Sequence, residues 1–212
     1  MAYDFDGVDD YMEVGSAVVT GVPLTLACWF NPDNVTANMA PISVSANTGT
    51  EIHRIQLAGA VAGDPVRAQS AGGGTTVQGS SATGYSASTW QHAAARFSAN
   101  NNRRAYLNGV GGTANTASVT PTGLNRTNIG CSYAAGVTAT FMAGLVAEVG
   151  IWNVALDDAE IAALAKGFRP SLIRPSNLVL YVPLVREIAD YRDGLTVTSS
   201  GPVVANHTRR IG

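Results

Sequence analysis

Residues 90–110 read WQHAAARFSANNNRRAYLNGV. Ala93, Ala95 and Phe97 share one parity and Trp90, His92 and Ala94 the other, so the first half reads as a strand, and Trp90 is expected to open it as a core residue. Asn100 to Asn102 then reverse the chain, because Asn tolerates turn conformations that other side chains resist. Arg104 to Leu107 resumes the pattern, and Asn108-Gly109 reverses it again through residues that accept positive φ. Neighbouring antiparallel strands joined by tight turns are the repeating unit of an all-β sandwich. His92 is expected to be a satisfied histidine between two sheets rather than a catalytic base, since no Ser, Cys or acid stands at a recognisable motif spacing.

The same grammar extends in both directions. Strand-like runs cover Ala2 to Phe5, Tyr11 to Val14, Leu24 to Phe30, His53 to Ala58, Pro65 to Gln69, Thr127 to Cys131 and Leu145 to Trp152, each bounded by Gly, Asn, Ser or Pro. Segment 70–89 reads as decorated loops with a strand-like piece at Thr75 to Gln78. One helix is signalled near residues 157–166: Asp157 caps, Glu160 stands three residues on, Ile161, Leu164 and Ala165 form the apolar stripe, and Gly167 and Pro170 stop it. The expected organisation is a jelly roll over residues 1–170 and a C-terminal extension over 171–212, packing on the same domain or on a partner. Within that extension Leu178 to Val185 is apolar on both faces, with Pro183 restricting it to an edge or a bulge.

Composition narrows the function classes. The chain has 212 residues, 46% apolar and only 13% charged, with 23 glycines, which suits one turn-rich sheet domain. A formal net charge of −2, with Arg103/Arg104 and Arg209/Arg210 isolated from each other, argues against nucleic acid as a partner. No apolar run is long enough for membrane insertion as a helix. The opening MAYDFDGVDD has no hydrophobic signal region, so synthesis in a cytoplasm is expected, and Cys28 and Cys131 are read as buried thiols rather than a disulfide.

Several stretches taken together resemble the laminin G-like family of concanavalin A-type lectin/glucanase jelly rolls. YDFDGVDDYMEV is similar to that family's first hairpin and LTLACWFNPD to its following core strand. WQHAAARFS with RRAYLNGV resembles its Trp-x-His strand, polar turn and Tyr-x-Asn-Gly strand, and NIGCS with FMAGLVAEVGIWNVALDDAEIAAL resembles its closing strand and short helix. The resemblance covers most of residues 3–164 and implies a two-sheet antiparallel jelly-roll sandwich with one short helix.

It also says which chemistry to test. The glucanase branch carries closely alternating acids on a central strand, because glycoside hydrolysis needs two carboxyls flanking the scissile bond. Here the glutamates stand apart at 13, 51, 148, 160 and 187, so no enzymatic activity is expected. Glu148 alone lies in a convincing central strand, where simple alternation groups it with Val146 and Gly150, and it is read as a buried, hydrogen-bonded structural acid. Many members of the fold bind calcium through loop carboxylates; Asp6, Asp9 and Asp10 could supply such hard ligands, or could simply cap a turn. No cofactor is required, and calcium is the one metal considered. The family's acid before the position of Glu148 is Ala147 here, which weakens any site that depends on it.

Sugar binding needs exposed aromatic rings beside polar groups, and Tyr85, Tyr133 and Trp152 are the candidates, against the ordinary alternative that strand aromatics are core. AGGGTT at 71–76 lacks the Lys-Ser/Thr and the helix of a phosphate loop. The sequons at Asn34, Asn125 and Asn206 are read as chance occurrences. Residues 167–212 are similar to C-terminal segments of laminin G-like proteins encoded by tailed bacteriophages. That resemblance implies a non-enzymatic structural or adhesive role at a virion surface, as capsid decoration or in a tail or fibre, after synthesis in the host cytoplasm. Its partners would be other virion proteins or copies of itself, with cell-surface glycans as a further class. The alternative is a carbohydrate-binding module, calcium-dependent or not; a glycoside hydrolase ranks last.

Overall fold

The computed structural model describes residues 1–47, 51–134 and 137–205. The Asn206 sequon and the Arg209/Arg210 pair lie outside the described residues. Chain order runs β1 (Ala2–Asp6), β2 (Tyr11–Val14), β3 (Leu24–Pro32), β4 (Asn38–Ser45), β5 (Ile52–Ala58) and β6 (Pro65–Gly72). It continues through β7 (Thr75–Gly84), β8 (Gln91–Ala99), β9 (Asn102–Leu107), β10 (Val110–Gly111), β11 (Arg126–Ile129), β12 (Ser132–Ala134) and β13 (Val137–Ala139). After β14 (Ala143–Trp152) come helix α1 (Asp158–Ala165), a 3-10 turn at Pro170–Leu172, β15 (Leu178–Val182), β16 (Thr198–Ser200) and β17 (Val203–Ala205).

Two antiparallel sheets form a sandwich. The eight-stranded sheet has the order β10-β9-β8-β3-β14-β1-β17, with β15 also pairing β14; the seven-stranded sheet has the order β16-β2-β11-β4-β5-β6-β7, and β12-β13 make a separate hairpin. The segment after Pro170 is woven into both layers, because β15 and β17 join the first sheet and β16 the second.

The alternation read from the sequence is what separates the faces. Leu24, Leu26, Cys28 and Phe30 of β3 and Ala93, Ala95 and Phe97 of β8 point into the space between the sheets, where they meet Met12, Ile42, Val44, Ile55, Leu57 and Ile129. Residues of the opposite parity, Ala27 and Ala94, join Tyr106 and Trp152 in a second apolar cluster on the outside of the eight-stranded sheet, roofed by Leu156, Ile161 and Leu164. Helix α1 is fixed over that cluster by its ends and by charge. Asp157 and Glu160 form the capping box, and Asp158 receives Arg96 at 2.8 Å, Arg104 at 2.7 Å and the Tyr106 hydroxyl at 2.7 Å. That Tyr106 hydrogen bond, with the two guanidiniums, holds the Asp158 carboxyl below the usual range.

The paired arginines of the 90–110 stretch therefore part company, as neighbours on a strand must. Arg104 goes out to Asp158, while Arg103 is 1% exposed and inside, donating to Asn100 O (2.5 Å), Ala117 O and Asn115 Oδ1 (2.8 Å each). Asn108 and Gly109 have φ +50° and +81° in the turn to β10, and Asn108 Oδ1 accepts the His92 N–H at 2.9 Å.

Four expectations need correction. Trp90 lies just before β8 and is half-buried, so it is no core residue. His92 is buried but sits on the outer parity, edge-on to Trp29 at 5.6 Å; the histidine between the sheets is His53. Half of segment 70–89 is one long strand, β7, rather than loops, and β4 is a strand that the sequence reading lacks. The reading of Cys28 and Cys131 as buried thiols needs no change, since both are free and buried, and burial pushes the Cys131 thiol up to about 12.

Candidate functional site

Strand β14 first decides where an acid can stand. Simple alternation would place Glu148 beside Val146, in the dry interior. Instead the register slips between Ala147 and Gly150, Glu148 adopts φ +53°, and Val149 and Ile151 take the inward positions. This bulge expels the carboxylate to the outer face, where the Tyr181 hydroxyl donates to Glu148 Oε2 at 2.7 Å. A strained backbone thereby replaces the larger cost of a carboxylate in the apolar core. The structural reading of Glu148 fits this geometry.

The aromatic candidates fare unevenly. Tyr85 is 3% exposed and edge-on to Phe30 at 5.9 Å within the inner core, and Trp152 is fully buried with its Nε1–H donated to Ile173 O at 2.7 Å. Neither can offer a ring to a sugar, because packing already covers both faces. Tyr133 is half-buried on the hairpin β12-β13, with the Arg126 guanidinium 4.5 Å from its ring centre.

Asp6, Asp9 and Asp10 do come together, with one oxygen of each inside a 4.8 Å group. Their bonding, however, is that of a turn: Asp6 Oδ1 accepts the N–H groups of Val8 (2.8 Å), Asp9 (3.2 Å) and Asp10 (3.3 Å), and Asp10 Oδ2 accepts that of Asp6 (3.0 Å). The Val8 N–H and its neighbours hold the Asp6 carboxyl below its usual range, while burial raises that of Asp10. Hard oxygen ligands are present for calcium, but the oxygen of Asp6 best placed to serve is already aimed at three N–H donors.

A polar surface emerges where single-residue candidates did not point. Helix α1 and its apolar cluster roof part of the outer face of the eight-stranded sheet, whereas the outer face of the seven-stranded sheet carries mainly polar side chains. Strand register there aligns one polar residue from every strand: Thr198, Glu13, Asn128, Ser43, Arg54, Gln69 and Gln78, a row of roughly 29 Å at the usual strand spacing, in which Asn128, Ser43 and Gln69 are buried and the other four reach solvent. Neighbours in the row are bonded to one another. Arg54 Nε donates to Gln69 Oε1 at 2.6 Å, and Gln69 Nε2 to Gln78 Oε1 at 3.1 Å and more weakly to Gln56 Oε1 at 3.4 Å. The hairpin β12-β13 lies across the middle, where Arg54 Nη1 donates to Ser132 Oγ (2.9 Å) and Thr140 Oγ1 (3.0 Å). Burial lowers the Arg54 guanidinium to about 10, still charged at neutral pH.

At the far end Glu13 is tied to Arg126 and Asn128, so the row's one carboxylate has no acidic partner within it. Next to the row, Arg67 and Ser80 continue the polar face, and Arg67 Nε meets no hydrogen-bond partner among the described residues. The signal that could have located this surface is the polar half of the period-2 pattern, Arg54 and Gln56 alternating with Ile55 and Leu57, and Arg67 and Gln69 around Ala68.

Known structures share this fold. The native heptameric SAP-like pentraxin of Limulus polyphemus is 13% identical, with TM-score 0.69 over 95% of this chain and 93% of that one. Domain 4 of an extracellular arabinanase of Geobacillus stearothermophilus, in complex with arabinotriose, is 20% identical, with TM-score 0.63 over 77% and 76%. The CBM40 module of a Ruminococcus gnavus sialidase, bound to α2,3-sialyllactose, is 13% identical, with TM-score 0.58 over 78% and 98%. No curated protein sequence matches the chain. The family model described as concanavalin A-like lectin/glucanases superfamily matches residues 6–162, most of both sheets and the start of the helix, and the chain belongs to that superfamily.

Proposed function

We propose that the chain is a non-catalytic carbohydrate-binding module that holds its ligand on the outer face of the seven-stranded sheet. The observation carrying this reading is the neutral polar row. At its open end the half-exposed Gln78 amide and the adjacent Arg67 guanidinium can trade hydrogen bonds with sugar hydroxyls, whereas the opposed carboxylate pair that hydrolysis needs does not occur in the row. Relatives of the same fold whose structures contain arabinotriose or sialyllactose support this choice over a purely structural role. The reading needs no metal; calcium at the Asp6 turn would serve, if bound, to stiffen the first hairpin, and would have to displace N–H donors from Asp6.

A glycan array on the intact chain, followed by calorimetry, tests the proposal. Arg67→Ala combined with Gln78→Ala, both half-exposed, should weaken the bound glycan by about tenfold or more while the melting temperature stays within a few degrees. A folded chain that binds nothing on the array would overturn the reading. Release of reducing ends from a glucan, abolished by Glu148→Gln, would reinstate a hydrolase.

The finer reading places the module on a virion surface, where glycan contact would serve adhesion. Its support is the resemblance of the C-terminal segment to those of laminin G-like proteins of tailed bacteriophages. Mass spectrometry of purified particles should find the chain in stoichiometric amounts; its recovery only from the particle-free fraction would sink the idea.

A further inference from the structure

Past residue 162, where the family match ends, the chain builds a second cleft, of about 440 Å³, on the outer side of the eight-stranded sheet. Glu148, the acid that the β14 bulge turns out of the core and that Tyr181 holds, is among its lining residues. Pro183 and Val185 supply apolar wall, Arg169 stands at the rim, and Tyr191 closes one side. All of these except Glu148 lie beyond the residues that the family model matches.

Tyr191 is 57% exposed, yet it is not on a loose loop. Its N–H donates to Tyr181 O at 2.7 Å and its hydroxyl to Glu187. The adjacent Asp190, 6% exposed, accepts the N–H groups of Tyr181, Arg192 and Asp193 at 3.0 Å and of Leu195 at 3.2 Å, which knots the loop to β15. The Tyr181 and Tyr191 rings stand 6.2 Å apart at 60° and make an aromatic corner. A large exposed ring held in place by a buried acid is preorganised for contact, which removes much of the ordering cost of binding.

The charges select the ligand class. A simple ammonium group would gain Glu148 and the rings but meet Arg169; a simple anion would gain Arg169 but meet Glu148. A neutral polyhydroxylated ring uses all three, with hydroxyls on the carboxylate and the guanidinium and its C–H face on Tyr191. We propose that this cleft is a second saccharide site, independent of the polar row on the other sheet, so that the module grips glycans from two opposite faces. Two weak sites on one rigid body then act together on a surface bearing many glycans, through effective concentration.

Two-dimensional NMR of the intact chain tests this with methyl β-D-glucopyranoside, methyl β-D-galactopyranoside, methyl α-D-mannopyranoside, N-acetylglucosamine and, separately, tetramethylammonium. At least one sugar should shift the amides of Glu148, Tyr181 and Tyr191. Tyr191→Ala should weaken that sugar about tenfold and Tyr191→Phe by no more than about threefold, since the ring is what stacks. Gln78→Ala should leave the cleft signals unchanged, so failure of the polar row and failure of the cleft are read separately. Cleft shifts with tetramethylammonium alone, no shift with any of the four sugars in the folded chain, or equal affinity in Tyr191→Ala would each overturn the proposal.

Discussion

Acidification from pH 6.5 to about 3 is expected to remove on the order of 4–5 kcal/mol of stability through one residue, His53. Its ring lies between the sheets, edge-on to Phe97 at 4.8 Å, with Nδ1 2.9 Å from Ser70 Oγ. Burial, helped by the nearby Arg103 guanidinium, lowers its pKa from 6.5 to about 3. The unfolded chain therefore takes up a proton near pH 6.5 that the folded chain refuses until about pH 3. The stabilisation is complete above pH 6.5 and is lost progressively as the pH falls through that window. Asp158, held low by Tyr106 and two arginines, adds a smaller loss below the ordinary carboxylate range, whereas Asp4 and Asp10, raised by burial, act in the opposite sense. Denaturant titrations at pH 7, 5.5 and 4.5 should show the fall in the wild type and a much flatter profile in His53→Asn. Parallel profiles would mean that His53 is not the group responsible.

Replacing Trp152 by Ala should cost about 3–5 kcal/mol, seen as a fall in melting temperature of roughly 10–15 °C. The side chain is fully buried in the cluster that joins β3, β8 and β9 to α1, so its loss opens a cavity under the helix and leaves Ile173 O without the indole donor. Trp152→Phe separates the two effects: it keeps most of the packing and should cost about 1–3 kcal/mol for the orphaned carbonyl. Trp90→Ala is the contrast. That ring is only half-buried before β8, and its removal should cost no more than about 1.5 kcal/mol. If the two alanine variants melt together, the assignment of Trp152 to the covered face is wrong.

Much of the fold was legible because local and global preferences agree. Asn-rich turns flank β9, the capping box opens α1, and strict alternation in β3 and β8 sorts inner from outer residues. Reading failed where a local signal was overridden by a partner. Pro41 hides β4, and the register slip between Met39 and Ile42 is what accommodates it. The Ser, Thr and Gly of β7 look like loop chemistry, yet the strand is held by its ladder to β6 and by Gly79, where a Cβ would come within 2.8 Å of Arg103 O. Simple parity also failed at Glu148, since a bulge cannot be counted from spacing. The candidate surface was less legible still. Glu13, Asn128, Arg54 and Gln78 stand far apart in the chain and become neighbours only through register, which no single strand reveals. Tyr191 and Glu148 meet only because the C-terminal segment returns to β14.

The pairing of the first strands also sets a clock. Among the described residues β1 bonds only to β14 and β17, and β2 only to β11 and β16, so the opening residues find no sheet partner there until Arg126 has been made. At ordinary translation speeds that interval is roughly 6–20 s, during which Phe5, Met12 and Val14 leave the ribosome without the strands that flank them in the sheets. Sheets assembled from such distant pieces form slowly in any case. The first hairpin therefore stays without its sheet partners through more than half of the chain's own synthesis, which makes that interval the one in which exposed strand edges favour aggregation.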